Sequence, residues 1–99
     1  MFTRAIRYNL GSDEQEAVKI YNERAKPMWS KQQGYHSMQR YRIVEGAHKD
    51  KQMVVVRFND QDSFNKAQEA VAQEREGIVK DLEKAGVQAE EVLVLEEVP

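Results

Sequence analysis

The sequence of 99 residues contains no cysteine and has only two prolines and one tryptophan. Without thiols the chain forms no disulfide, ligates no iron–sulfur cluster and uses no thiolate nucleophile. The 15 lysines and arginines nearly balance the 17 aspartates and glutamates, so the formal net charge is only −2. Such a balance provides no field that would attract nucleic acid or an anionic membrane surface. We therefore expect neither nucleic acid nor a membrane as a partner.

Long apolar runs are also missing. The first 15 residues, MFTRAIRYNLGSDEQ, lack the apolar centre of a signal peptide. No run approaches the roughly 18 apolar residues that cross a membrane. No linker or low-complexity tract divides the chain. Residues 1–99 are therefore predicted to form one domain, and we expect a cytoplasmic protein.

The segments that are present alternate between strand-like and helix-like patterns. Residues 2–10 favour a strand that stops at Gly11. Ser12 and Gln15 fit a capping box, in which the Ser12 hydroxyl accepts from the Gln15 amide. A helical stripe follows, which consists of Val18, Tyr21, Ala25 and Met28. Pro27 predicts a kink or restart near the end of this helix.

The second half continues the alternation. Residues 35–45 and 53–58 favour strands joined by a hairpin, and a helix beginning at Asp60 or Asp62 ends near Gly86. Residues 90–98 favour a last strand. The order βαββαβ predicts an α+β, ferredoxin-like fold, in which two helices cover one face of a four-stranded antiparallel sheet.

Two features of these strands predict an assembly. The segments MVVVRF (53–58) and VLVL (92–95) are continuously apolar, as in strands buried on both faces. The strand within GYHSMQRYRIVEG (34–46) carries apolar and polar groups on both faces. Since two helices cover only one face, we predict a homodimer that packs through the other. The alternative is a monomer whose strands merely have high β-propensity.

The whole chain resembles the dimeric α+β-barrel superfamily, in particular its antibiotic-biosynthesis-monooxygenase-like group. The resemblance rests on the charged first helix, the passage Gln33-Gly34-Tyr35 into strand two, and the hydrophobic strand three followed by Asn59 to Phe64. It implies a dimeric α+β barrel. Members that degrade haem ligate iron through a histidine on the second helix, but residues 60–86 contain none. A strand-three tryptophan of some members corresponds to Phe58.

The resemblance and the composition lead to two functional hypotheses. The first is a cofactor-independent, monooxygenase-like or isomerase-like enzyme that acts on a small aromatic or carbonyl compound. The second is a non-catalytic homodimer that binds a small ligand or a protein partner. We expect no bound cofactor and no metal site, because His36 and His48 are the only histidines and no carboxylate lies at a ligand spacing.

The candidate pocket residues are Tyr8, Tyr21, Trp29 and His36. Phe2, Ile6 and Leu10, with Tyr8 among them, should meet the helices, together with one face of strand three (Val54, Val56 and Phe58). A pocket between helices and sheet would suit a flat, weakly polar molecule, with His36 or an arginine at its mouth. His36 could act as a general base or as a hydrogen-bonded structural residue. Trp29 could form a pocket wall or close the core.

The candidate dimer-interface residues are Arg7, Val55 and Arg57. Val55 and Arg57 lie on the face of strand three that points away from the helices. Arginines on strands need carboxylate partners when they are buried. We expect interface ion pairs, with Glu96 or Glu97 as acceptors, although an anionic ligand would satisfy the same arginines.

Overall fold

The computed structural model describes all residues, 1–99, and has the order βαββαβ. Strand β1 spans Phe2–Asn9, β2 Tyr35–Arg42, β3 Gln52–Phe58 and β4 Gln88–Glu96. The first helical region consists of α1 (Glu14–Ile20), a π-helical segment (Tyr21–Ala25) and α2 (Lys26–Ser30). The second is one long helix, α3 (Gln61–Lys84).

The strands form one antiparallel sheet in the order β2-β3-β1-β4. Strand β1 pairs with β3 from Phe2 opposite Phe58 to Tyr8 opposite Gln52. On its other side β1 pairs with β4, with a register shift between Arg7 and Tyr8. The helices lie on one face of the sheet. The predicted ferredoxin-like α+β fold is therefore confirmed.

The start of α1 differs from the predicted capping box. Asp13 is the N-cap, and its Oδ1 accepts a hydrogen bond from the backbone N–H of Glu16 at 3.2 Å. The acceptor is therefore an aspartate one residue later than Ser12. A carboxylate at this position also interacts favourably with the positive end of the helix dipole.

The predicted kink at Pro27 takes the form of a wide turn. The backbone N–H of Lys26 bonds to the carbonyl of Tyr21, five residues earlier, instead of four. In a regular helix the Pro27 ring would collide with the carbonyl of Glu23, and it has no N–H to donate. The π-helical segment removes this conflict and lets the chain continue into α2.

The main core lies between the helices and the sheet. Phe58 is completely buried in it, and its ring lies edge-on to Trp29, with ring centroids 5.9 Å apart. Trp29 also stacks on Phe64 at 6.1 Å, with the ring planes 9° apart. Phe64 in turn packs against Phe2 at 5.1 Å. These four aromatic residues attach both helical regions to β1 and β3.

Gly11 permits a close approach at one end of this layer. A Cβ atom at Gly11 would lie 2.0 Å from the carbonyl oxygen of Gly86, and Gly11 has a φ of +81°. The turn after β1 therefore crosses the turn before β4 where no side chain fits.

The opposite face of the sheet carries no helix or loop. It presents apolar residues from the three adjacent strands β3, β1 and β4, namely Ala5, Met53, Val55, Leu93 and Leu95. We call this the outer face.

Strand β4 is exposed on both faces, although continuous burial was expected of its VLVL segment. Val92 and Val94 lie opposite Ile6 and Arg4 and so share the helix-facing side, yet they remain 52% and 57% exposed. The helical layer does not extend over this edge strand.

Candidate ligand site between the helices and the sheet

A half-open cavity of about 170 Å³ lies between the helices and the sheet. Its walls come from β1, β2, β3, the first helical region, α3 and the start of β4. Most of its lining residues are hydrophobic. A dry cavity of roughly 150 Å³ accommodates a benzene ring, so this one has room for a single aromatic ring with small substituents.

The structure places three of the four predicted pocket residues, Tyr8, Tyr21 and Trp29, on the wall of this cavity. Trp29 belongs to the core and to the wall at once, so both proposed roles describe its position. Tyr8 donates its phenolic hydrogen to Oε1 of Gln52 at 2.9 Å. Burial raises the pKa of the Tyr8 and Tyr21 phenols, so both are neutral hydrogen-bonding groups near pH 7.

His36, the fourth predicted pocket residue, does not line the cavity. Its side chain is exposed, and its Nδ1 lies 3.0 Å from the hydroxyl of Ser37. The cause is a register shift in β2, where Tyr35 lies opposite Phe58 but Ser37 lies opposite Arg57. His36 is the extra residue of this bulge, so strict alternation does not apply across it.

An arginine does stand in the cavity wall, as the alternative to His36 anticipated. Arg40 lies on β2 with its guanidinium carbon 5.1 Å from the centroid of the Tyr21 ring. This distance is within the range of a cation–π interaction. The positive charge of Arg40 lowers the pKa of Tyr8 and Tyr21, and so offsets part of the increase that burial causes.

Two further cavity arginines, Arg4 and Arg75, were not among the predicted site residues. Arg4 projects from β1 on the same side as Phe2, Ile6 and Tyr8 and is only 7% exposed. Arg75 projects from α3. Burial, together with the charge of Arg75, lowers the pKa of Arg4 to about 10, so it remains protonated at neutral pH. The sequence does place Arg4 at an even-numbered position of FTRAIRYN, on the same face as Phe2, Ile6 and Tyr8, and this position could have identified it as a cavity residue.

The predicted interface residues lie on the outer face. Arg7 finds its carboxylates within its own chain, where it bonds to Glu91 and, at 3.3 Å, to Glu90. Arg7 therefore needs no acceptor from another chain. Arg57 instead donates to Oε1 of Gln39 at 2.8 Å and has no carboxylate partner. Val55 lies opposite Ala5 and is buried.

The acidic and metal-binding groups are sparse. Glu83, at the exposed rim, is the only carboxylate among the cavity-lining residues, and no histidine is among them. No group of three or more histidine, aspartate or glutamate side chains is arranged to hold a metal ion. None of the helices has the length and apolar character needed to cross a membrane.

Solved structures with the same fold give this geometry a context. A cofactor-independent oxygenase from Streptomyces nogalater, SnoaB, superimposes with a TM-score of 0.68 at 16% identity, covering 99% of this chain and 93% of its own. A conserved protein from Methanosarcina mazei gives 0.70 at 15% identity, with 99% and 94% covered. An antibiotic-biosynthesis-monooxygenase-like protein from Deinococcus radiodurans gives 0.65 at 8% identity, with 100% and 94% covered.

These similarities establish the class of fold. The chain has the fold of the antibiotic-biosynthesis-monooxygenase-like proteins, as the sequence resemblance implied. No protein-family model and no curated protein sequence matches it. At identities of this size the likeness carries no assignment of activity.

Proposed function

We propose that this protein is a cofactor-independent, monooxygenase-like or isomerase-like enzyme that acts on a small aromatic or carbonyl compound in the cavity between the helices and the sheet. The observation that carries the proposal is the cavity itself. It is largely apolar, has aromatic walls formed by Trp29 and Tyr21, and is also lined by a few charged side chains, such as those of Arg4, Arg40 and Arg75. Such a site is the usual form of a small-molecule binding site.

The fold comparisons support the reaction class loosely. SnoaB is a cofactor-independent oxygenase, and other proteins of this fold are named as monooxygenase-like. An oxygenation without a cofactor requires an electron-rich substrate that itself supplies the electrons reducing dioxygen. The deprotonated form of an acidic compound, such as a phenolate or an enolate, is electron-rich in this sense. An isomerisation next to a carbonyl also passes through an enolate. An acidic aromatic or carbonyl compound fits both reactions.

A second function is favoured by one observation. The cavity contains no histidine, and its only carboxylate, Glu83, lies at the exposed rim. General-base catalysis requires a group within hydrogen-bond reach of the proton it removes. A non-catalytic homodimer that holds a small ligand would need no such group. The alternative proposal is therefore a binding protein that uses the same cavity.

We further propose that the protein works as a homodimer packed through the outer face. The support is the row of apolar side chains there, of which Leu93 and Leu95 on β4 are 38% and 47% exposed, although Ala5 and Val55 are buried by their neighbours. Apolar surface of this kind on adjacent strands is typical of an interaction site. The cytoplasmic location stays a prediction.

Turnover assays with a blocked cavity test the enzymatic proposal. The protein is incubated in aerated buffer containing EDTA with a panel of hydroxylated aromatics and 1,3-dicarbonyl compounds, and products are identified by mass spectrometry. We expect one compound to gain oxygen or to isomerise. Val79→Trp should abolish turnover, because Val79 lies on the cavity wall. Val44→Trp, at a position 70% exposed and away from the cavity, is the control.

The outcomes separate the two functions. Turnover that Val79→Trp and Val44→Trp affect equally would place the chemistry elsewhere and contradict the proposal. Native mass spectrometry of freshly purified protein provides the second measurement. A co-purified small molecule that is lost in Val79→Trp, without turnover of any compound, would favour the binding protein.

A further inference from the structure

Arg4 is the most unusual charge in the molecule, because it is buried without a partner. Arg4 is only 7% exposed, and it is the only buried residue with a charged side chain. The arginine ion pairs and hydrogen bonds of the structure involve Arg7, Arg24 and Arg57 instead. A buried cation without a partner is strongly unfavourable. The fold alone gives no reason for its presence.

The surroundings of Arg4 increase this cost. Val56 and Val94 are its neighbours across β3 and β4, so apolar side chains flank it on the sheet. The charged group of α3 that acts on Arg4 is another cation, Arg75, whose repulsion adds to the effect of burial on the Arg4 pKa. No polar side-chain atom of the protein is both sealed from solvent and unbonded. The Arg4 guanidinium therefore remains reachable from the cavity.

We infer that Arg4, assisted by Arg75, binds the anionic group of a small aromatic carboxylate or enolate whose ring lies in the apolar part of the cavity. A planar guanidinium donates two parallel hydrogen bonds to the two oxygens of a carboxylate, and it can donate equally to the single anionic oxygen of an enolate. The anion would also screen Arg4 from Arg75. The size of the cavity limits the apolar part to about one ring.

Arg40 provides a second, separate contact at the other side of the cavity. It lies on β2, opposite Val54 of β3, whereas Arg4 lies on β1, beyond β3. The two arginine backbones lie two strand spacings of about 4.8 Å apart across the sheet and two residues apart along it, so they are separated by about 12 Å. The Arg40 guanidinium already has a partner, because it lies over the Tyr21 ring. The pair Arg4 and Arg75, which lacks any partner, is therefore the anion site.

This inference rests on the proposed function only in using the same cavity as the ligand site. It adds the charge of the ligand and its orientation. In the enzymatic case, the two cations would stabilise the substrate as its anion, and the bound compound would need no strong base in the cavity. In the binding-protein case, they would select an acid over its neutral analogue.

A matched ligand pair tests the inference by binding alone. Benzoate and benzamide have the same shape, but only benzoate carries a charge. Their affinities can be measured by fluorescence titration, since Trp29 is the only tryptophan and lies in the cavity wall. We expect benzoate to bind at least about tenfold more tightly, the usual effect of hydrogen bonds to a charged group.

Three variants locate the preference. Arg4→Met keeps an unbranched, flexible side chain that ends near the position of Nε. It should remove the preference for benzoate while benzamide still binds. Arg75→Met should reduce the preference in part. Arg42→Met, at an exposed position outside the cavity, is the matched control and should leave it unchanged. Arg4→Met should also raise the urea midpoint of the ligand-free protein, because it removes an unpaired buried charge.

Several results would overturn the inference. They are a failure of benzoate to bind, equal affinities of the two compounds, and a preference that survives Arg4→Met. If Arg4→Met fails to fold, an Arg75→Met variant that still prefers benzoate as strongly as the natural protein would also overturn the inference. A preference with no turnover of any compound would leave the anion site standing and reject only the enzymatic proposal.

Discussion

At the scale of single residues, Trp29 contributes both to folding and to the cavity. Its ring is 3% exposed and contacts Phe58 and Phe64. We predict that Trp29→Ala lowers the free energy of unfolding by about 3–5 kcal/mol, the usual cost of truncating a buried aromatic residue. Urea denaturation followed by circular dichroism measures this, with Val44→Ala as an exposed control. A loss below about 1 kcal/mol would show that the ring is not part of the core.

Trp29→Ala is therefore a poor test of ligand binding, and Tyr8→Phe is a better one. The substitution removes one hydroxyl, which donates to Gln52 at 2.9 Å, and should lower stability by about 1 kcal/mol. We predict that it also weakens benzoate binding, by less than about tenfold, because it removes a polar group from the cavity wall. The outer-face variant Tyr41→Phe, which loses a hydrogen bond to Gln39, should leave binding unchanged. Equal affinities in both variants would remove Tyr8 from the ligand site.

At the scale of the elements, the start of α3 depends on the charge of Asp60. The Asp60 carboxylate accepts from the backbone N–H of Ser63 at 2.8 Å, and this hydrogen bond holds its pKa below the usual value. A lowered folded pKa means that the stabilisation is complete above the unfolded pKa. It is lost as the pH falls through the folded pKa.

Asp60→Asn removes the charge of the cap. Asparagine keeps a cap acceptor but does not titrate. The natural protein should have the higher urea midpoint at pH 7, and its advantage should shrink between about pH 5 and pH 2. Asp62→Asn, two residues further on in the first turn and not the cap, is the control. An advantage that stays constant through this range would show that the Asp60 charge contributes nothing to the helix.

The elements also show how far the sequence predicts this structure. The element order and the fold follow from the succession of strand-like and helix-like segments, and the faces of β1 and β3 follow from the strict alternation of side chains along an unbulged strand. The position of His36 does not, because one extra residue between Tyr35 and Ser37 shifts the alternation of β2. The same shift explains why GYHSMQRYRIVEG shows no consistent inner face. Arg4 was missed because a charge within an apolar face contradicts the pattern from which faces are inferred.

At the scale of the whole molecule, the uncovered outer face predicts an assembly. We expect light scattering at micromolar concentration to give twice the mass of the 11.5 kDa chain. Arg57→Ala should weaken this dimer, because Arg57 lies on the outer face and has only Gln39 as a partner. Arg42→Ala serves as an exposed control. A monomer mass for the natural protein would contradict the assembly directly.

The two faces of β4 offer two different surfaces for a dimer interface. Leu93 and Val92 are adjacent, and both are exposed, at 38% and 52%. Leu93 shares the outer face with Ala5, whereas Val92 shares the helix side with Ile6. A charge placed in an apolar interface must lose its water without gaining a partner. Leu93→Asp should therefore raise the dimer dissociation constant at least about tenfold, and Val92→Asp should leave it unchanged.

Sedimentation velocity over a range of concentrations measures both dissociation constants, and circular dichroism verifies that each variant is folded. Dissociation by both substitutions would mean that the partner wraps around β4 or pairs with its free edge. Dissociation by Val92→Asp alone would place the interface on the helix side of β4. Packing through the outer face predicts that Leu93→Asp dissociates the dimer and Val92→Asp does not. Because the cavity lies on the other side of the sheet, such a dimer leaves the cavity of each chain uncovered by its partner.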